Sequence, residues 1–165
     1  MSKKILFSPI GGNDPVSSTT ERDGSMLHIC RIYKPDIVYL YLSKEMYDRH
    51  EKDNRYGYCI EQLGKLLNHH FEVKYIFRKD LVEVQEYDFY YTEFEQIIKE
   101  IRENMEQYDE LLFNIASGSP AMKSCLLLFA ALYSNLKPIQ VTTPAKRINS
   151  SNGEDEDYDP EYYWE

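Results

Sequence analysis

Short apolar runs alternate along this chain with stretches whose apolar residues recur at helical spacing, and that alternation leaves few folds open. Ile5-Leu6-Phe7 within residues 3–9, Ile37-Val38-Tyr39-Leu40-Tyr41-Leu42 within 36–42 and Leu111-Leu112-Phe113 within 110–116 offer apolar side chains to both faces of a strand. Strands that read this way are covered on both sides, as in parallel sheets. Residues 71–77 alternate as a third strand in chain order, and 138–143 read as a fifth. Between them, Met26, Leu27, Ile29, Cys30 and Tyr33 repeat as a helix that Thr20, with Asp23 three residues on, would cap and Pro35 would stop. Residues 45–69 predict one helix with Ile60, Leu63 and Leu67 on its stripe, though Gly57 and Gly64 weaken it. Thr92-Glu93-Phe94-Glu95 has the pattern of a capping box ahead of Ile97, Ile98, Ile101 and Met105, while the acidic, tyrosine-rich 78–91 carries no clear period. Residues 120–134 form a helix that is apolar nearly all round. The predicted fold class is α/β, Rossmann-like, with about five mostly parallel strands and helices on both faces.

A chain of 165 residues is one domain with a real core. Its formal charge of −9 argues at first against an anionic ligand. Residues 151–165, however, hold seven of the acids and no Lys or Arg, which leaves 21 acids against 19 bases over residues 1–150. The body is therefore close to neutral, and local geometry decides what it binds. We expect a domain over 1–147 and an acidic linker or tail over 148–165. The tail's Tyr158, Tyr162, Tyr163 and Trp164 suit either docking or the approach to a further domain. No apolar run approaches the length of a membrane span, and Cys30, Cys59 and Cys125 form no CxxC pair. Those features give the expectation of a cytoplasmic chain with no metal, no cofactor, no membrane partner and no double-stranded DNA.

Ligands of an open doubly wound sheet bind beyond the carboxyl ends of its strands, where strand order reverses. Two segments at such ends stand out: Ser8-Pro9-Ile10-Gly11-Gly12-Asn13-Asp14-Pro15 and Ser117-Gly118-Ser119-Pro120-Ala121-Met122-Lys123. In the second, Gly118 permits a tight turn, Ser119 suits an N-cap and Pro120 the first helical position. Amides of that first turn favour an anion, and Lys123 adds a positive charge one turn in. Alone, Ser-x-Ser-Pro is ordinary capping and Gly11-Gly12 lacks the GxGxxG pattern; together on strands flanking a reversal they predict a phosphate-binding crevice. The apolar helix 120–134 is either a core helix or, with one side in solvent, a dimer surface.

Other constellations are weaker. His69-His70 has no cysteine or carboxylate partner at metal-ligand spacing. Arg22 and His28 match the arginine-to-histidine spacing of a family of helical ribonucleases, but they follow the first strand, so we read the match as chance and His28 as structural. Ser117 and Ser119 lack the G-x-S-x-G elbow and an assignable histidine.

Ile5-Leu6-Phe7-Ser8-Pro9-Ile10-Gly11, then Asp14-Pro15, then Arg22-Asp23-Gly24-Ser25-Met26-Leu27-His28-Ile29 resembles the start of the accessory ribonucleases of type III-A CRISPR systems. Asn114-Ile115-Ala116-Ser117-Gly118-Ser119-Pro120-Ala121-Met122-Lys123 resembles their second ligand-binding motif. The resemblance spans residues 3 to about 147, their CRISPR-associated Rossmann-fold (CARF) sensor domain. It departs where Ser119 replaces a threonine and where Gly12 precedes Asn13. The family continues into a helical HEPN nuclease domain that this sequence does not encode.

The resemblance implies a homodimer that binds a cyclic oligoadenylate across its two-fold axis, cyclic hexa-adenylate favoured, and thereby switches on a ribonuclease. The implied ligand-binding residues are Pro9, Ile10, Gly11, Gly12, Asn13, Asp14, Ser117, Gly118, Ser119, Pro120, Met122, Lys123 and Thr143. Asn13, the hydroxyls of 117 and 119 and Thr142-Thr143 would face the adenines. Two other functions stay open. In one the domain slowly cleaves the bound ring, with Ser119 and Asn13 orienting the ribose 2′-hydroxyl. In the other it is an unrelated Rossmann-type nucleotide-binding enzyme, for which no catalytic acid, base or metal set can be named.

Overall fold

The computed structural model describes residues 2–17, 22–82 and 86–141. Among these residues ten elements follow one another: β1 (Lys4–Pro9), α1 (Ser25–Tyr33), β2 (Ile37–Leu42), α2 (Lys44–Asp53), α3 (Arg55–Leu67), β3 (Glu72–Phe77), α4 (Tyr87–Glu103), β4 (Glu110–Asn114), α5 (Pro120–Leu132) and β5 (Leu136–Ile139). The strands form one sheet in the order β3-β2-β1-β4-β5, every neighbour parallel. Ile5 lies opposite Ile37 on one side and Leu111 on the other, which places β1 centrally and sets the reversal of strand order between β1 and β4. The α/β, Rossmann-like class read from the sequence is the observed one.

The continuous apolar runs are explained by two cores, one on each face. Leu6, Val38, Leu40 and Leu112 meet Met26, Leu27, Ile29 and Cys30 of α1 and Tyr56, Ile60 and Leu63 of α3. The alternate residues Ile5, Phe7, Tyr41, Leu111 and Phe113 meet α4 and α5 through Phe94, Ile98, Cys125, Leu126 and Phe129. Phe7 and Tyr41 both meet the Phe94 ring edge-on, at centroid distances of 5.3 and 5.0 Å. Each fully buried side chain of this kind contributes about 1.5–3 kcal/mol.

Several element boundaries differ from the sequence reading. The first helix begins at Ser25, not near Thr20, with Gly24 at its N-cap. Thr20 lies outside the described residues, and Asp23 instead bridges to Val16 and pairs with Arg31. Residues 45–69 are two helices, giving five among the described residues, because Asn54 takes a left-handed conformation (φ 51°) that ends α2 and opens α3. The glycines within α3 serve packing: a Cβ on Gly57 would lie 2.6 Å from the Tyr75 hydroxyl. The Thr92 capping box is not a helix start, since α4 begins at Tyr87 and Thr92 lies inside it. There the buried Tyr90 extends the Phe94–Ile101 stripe by a turn, and burial outweighs the local cap signal. The fifth strand is earlier than 138–143, since Leu136 pairs with Leu111 and Ile139 with Asn114. Thr142 and Thr143 lie outside the described residues. No helix among the described residues is long and apolar enough to cross a membrane.

Candidate functional site

The loops after β1 and β4 meet at the reversal of strand order. The Ile10 amide donates to the Tyr41 carbonyl at 3.0 Å, one step beyond the strand, and the Asp14 amide returns to the Gly11 carbonyl at 3.1 Å. That turn carries Gly12 and Asn13 outward, both exposed. Its inner end is fixed by the buried Asp14 carboxylate. Oδ2 accepts from the Gly11 amide at 2.9 Å and Oδ1 from the Met26 amide at 3.0 Å, and Ser117 adds a side-chain hydrogen bond. One carboxylate thus joins the first loop, the start of α1 and the second loop. Burial pushes its pKa above the ordinary 3.8, against the pull of those three hydrogen bonds.

A second brace lies beneath. The buried Asn114 donates through Nδ2 to Ser8 Oγ at 2.9 Å and accepts the Ala116 amide on Oδ1 at 2.8 Å. Ser8 in turn donates to the Pro9 carbonyl at 3.1 Å. These bonds aim the chain leaving β4 toward Gly118, which takes φ +93°, a region that L side chains rarely adopt. Gly11 and Gly118 are in near backbone contact, so two glycines allow the loops to close on each other.

Ser119 is the N-cap of α5: its Oγ accepts the Met122 amide at 3.3 Å and its carbonyl the Lys123 amide at 3.0 Å. Pro120 occupies the first helical turn and has no N–H to place. The Gly118, Ser119 and Ala121 amides have no acceptor among the described residues. The half-buried Lys123 makes no ion pair among them either. A rim of unsatisfied donors with one cation is chemically suited to a phosphodiester.

The structure brings Pro9, Ile10, Gly11, Gly12, Asn13, Asp14, Ser117, Gly118, Ser119, Pro120 and Lys123 to this one edge. Their exposures differ. Pro9 and Ile10 are buried, and Met122 is 3% exposed, packed into the core beneath α5. Asn13 and Pro120 are exposed. Thr143 falls outside the described residues.

His28 and Arg22 are buried on the α1 side of the sheet, and burial, then Arg31, lowers the pKa of His28. His69 Nε2 sits 2.9 Å from the Pro35 carbonyl. Among the described residues no group of three or more His, Cys, Asp or Glu could hold a metal ion.

The sequence did not single out two further groups at this edge. Arg49 of α2 donates to the Gly12 carbonyl at 3.3 Å and to Glu45 at 2.7 Å. Its charge and that of Asp14 both act on the buried Tyr56 hydroxyl, which burial pushes up to about 12. Just past β3, Arg78 pairs with Glu93 of α4, which also accepts the Tyr41 hydroxyl at 2.7 Å. Only the i,i+4 spacing of Glu45 and Arg49 was visible in the sequence; nothing in it marks the 37-residue reach to Gly12.

Known proteins resemble this chain closely. A family model of the Cas_Csm6 CARF domain matches residues 72–165, which include the second loop. The CRISPR system endoribonuclease Csm6 of Enterococcus italicus is 32% identical over 150 residues, covering 89% of this chain and 34% of that protein. The protein of that name from Mycobacterium tuberculosis is 31% identical over 164 residues, 98% of this chain and 38% of its own length. The chain therefore spans little more than a third of these relatives. A solved structure of Enterococcus italicus Csm6 bound to cyclic hexa-2'-fluoro-hexa-dAMP aligns with a TM-score of 0.70 and 31% identity, covering 87% of this chain and 35% of that one.

Proposed function

The chain belongs to the Csm6 CARF domain family, and on that premise we propose that its β1–β4 crevice binds a cyclic oligoadenylate, cyclic hexa-adenylate by preference, as the sensor of a CRISPR ribonuclease. One observation carries this reading. Two glycine loops close backbone to backbone at the reversal of strand order, beside the Gly118, Ser119 and Ala121 amides and the Lys123 side chain, none of which has a partner among the described residues. Backbone amides and a lysine recognise phosphodiester without regard to base, and the exposed Asn13 supplies a side chain for an adenine edge.

The ligand's symmetry calls for two such crevices, supplied by a homodimer across α5. The larger part of the relatives' length lies beyond this chain, and the ribonuclease activity belongs to such a part. Ring cleavage is the finer alternative: the ribose 2′-hydroxyl is its own nucleophile, and the protein would need only to orient it and stabilise phosphate charge.

Calorimetric titration with cyclic tetra- and hexa-adenylate, followed by chromatography of the recovered ligand, tests all of this. We expect binding, tighter for the hexamer. No binding of either ring refutes the reading, and linear fragments after long incubation with excess protein reveal cleavage.

A further inference from the structure

The inner end of the first loop is pinned by Asp14, but its tip depends on a side chain from another element. Gly12 is exposed, and a Cβ there would meet nothing within 4 Å. The Arg49 guanidinium reaches it from α2, donating through Nη1 to the Gly12 carbonyl at 3.3 Å and through Nη2 to Glu45 Oε2 at 2.7 Å. The Arg49 side chain is 34% exposed and that of Glu45 66%. A guanidinium has five N–H donors in a planar fork, so three have no acceptor among the described residues.

We propose that Arg49 is a ligand-contacting residue of the crevice, which trades Glu45 for a phosphate oxygen of the ligand while still holding the Gly12 carbonyl. This inference rests on the crevice being an oligoadenylate site. The exchange is favoured by chemistry on both sides. An exposed i,i+4 carboxylate pair contributes little and is easily released into water. A phosphodiester accepts the guanidinium fork through two oxygens, a geometry that a lysine does not reproduce. The same guanidinium would then bind loop and ligand at once, so that the ligand orders the loop tip.

The test is a double-mutant cycle by calorimetry with cyclic hexa-adenylate: the unsubstituted chain, Arg49→Ala, Glu45→Gln and the double variant, each with a thermal melt. Arg49→Ala should weaken binding by about tenfold or more, since it removes a charge-assisted contact. Glu45→Gln should tighten binding by freeing the guanidinium, and that gain should vanish when Arg49 is absent. A role limited to bracing the loop would lower the melting temperature and would not give Glu45→Gln a gain. Arg49→Lys, which keeps the charge without the fork, should recover part of the loss and carries the test if Arg49→Ala unfolds. Equal affinity of the Arg49 variants and the unsubstituted chain overturns the inference. So does a Glu45→Gln gain that persists without Arg49, since it then reflects the general field. If the unsubstituted chain binds no cyclic oligoadenylate, the crevice reading falls and this inference with it; binding that ignores Arg49 removes this inference alone.

Discussion

Gly11 and Gly118 lie so close that a Cβ built on Gly11 would stand 3.1 Å from the Gly118 amide nitrogen. That approach joins the carboxyl ends of two adjacent parallel strands, and it turns two ordinary loops into one crevice. The amides that the crevice offers are available because neither loop carries a side chain at the contact.

The glycines should therefore differ in what they tolerate. Gly118→Ala places a Cβ 2.9 Å from Met122 Sδ and 3.0 Å from Pro9 Cβ, at a φ of +93°. It should cost about 1–3 kcal/mol and disorganise the crevice. Gly12→Ala meets nothing and should stay within about 0.5 kcal/mol of the unsubstituted chain. Urea denaturation of the two variants checks the order, and equal midpoints would contradict the geometry.

Ser119 and Lys123 sit four residues apart but should separate stability from binding. Ser119 Oγ caps α5 through the Met122 amide, so Ser119→Ala should lose about 0.5–2 kcal/mol of stability as well as ligand affinity. Lys123 makes no ion pair among the described residues. Its alanine variant should therefore melt like the unsubstituted chain yet bind the ligand with an affinity lower by about 1.5–3 kcal/mol. Denaturation paired with calorimetry distinguishes them, and a Lys123→Ala chain of normal affinity would remove the lysine from the site.

The sheet and the two loops were legible because their signals are local. Leu6 and Phe7 face opposite cores, so both must be apolar, and Gly118-Ser119-Pro120 spells out turn, cap and first helical residue in order. Boundaries failed where a tertiary effect outranked a local one. Thr92 carries a capping box, but Tyr90 is fully buried and draws the helix past it. Asn54 breaks a helical stretch through its backbone conformation, which residue identity alone does not announce. Within the site, Asp14 was a candidate by motif, but its bonds to Gly11, Met26 and Ser117 span more than a hundred residues and belong to the fold. Arg49 is the extreme case, a half-buried helix residue whose reach to the Gly12 carbonyl depends on where α2 lands.

Asp14 should leave a signature in the pH dependence of stability. Burial raises its folded pKa above 3.8, so the folded state holds that proton more tightly than the unfolded chain does. The contribution is then full below the ordinary pKa and is lost as pH rises through the folded value. Asp14→Asn removes the titration but leaves one of the Gly11 and Met26 amides facing its NH2 group, so it should be less stable throughout. The stability advantage of the unsubstituted chain over Asp14→Asn should be largest below the ordinary carboxylate pKa of 3.8 and shrink as pH rises through the raised folded value. Asp109, whose pKa is held low by the Glu106 and Lys3 amides, titrates in both proteins and cancels in the difference. A difference that is flat with pH, or that grows with it, would show that burial does not govern Asp14.

Assembly is the last expectation, and it follows from how α5 is faced. Ala121, Met122, Cys125, Leu126 and Phe129 fill the core, while Leu127 and Leu132 are 48% and 59% exposed. Lys123, Ser124, Leu127, Leu128 and Ala131 form one outward stripe at helical spacing, and its N-terminal end is the crevice. Pairing two copies along this stripe would cover the leucines and draw the two Lys123 side chains toward each other. Two like charges brought together oppose the pairing until an anion lies between them, so a ligand that touches both copies should strengthen the dimer by mass action. Sedimentation over a range of concentrations, with and without cyclic hexa-adenylate, should show a dimer that tightens with ligand. Leu127→Glu places a charge in the stripe without touching the core; it should give a folded monomer with weakened ligand binding. An unsubstituted chain that stays monomeric both free and saturated with ligand would refute the dimer, and a Leu127→Glu chain that still dimerises would move the interface away from α5.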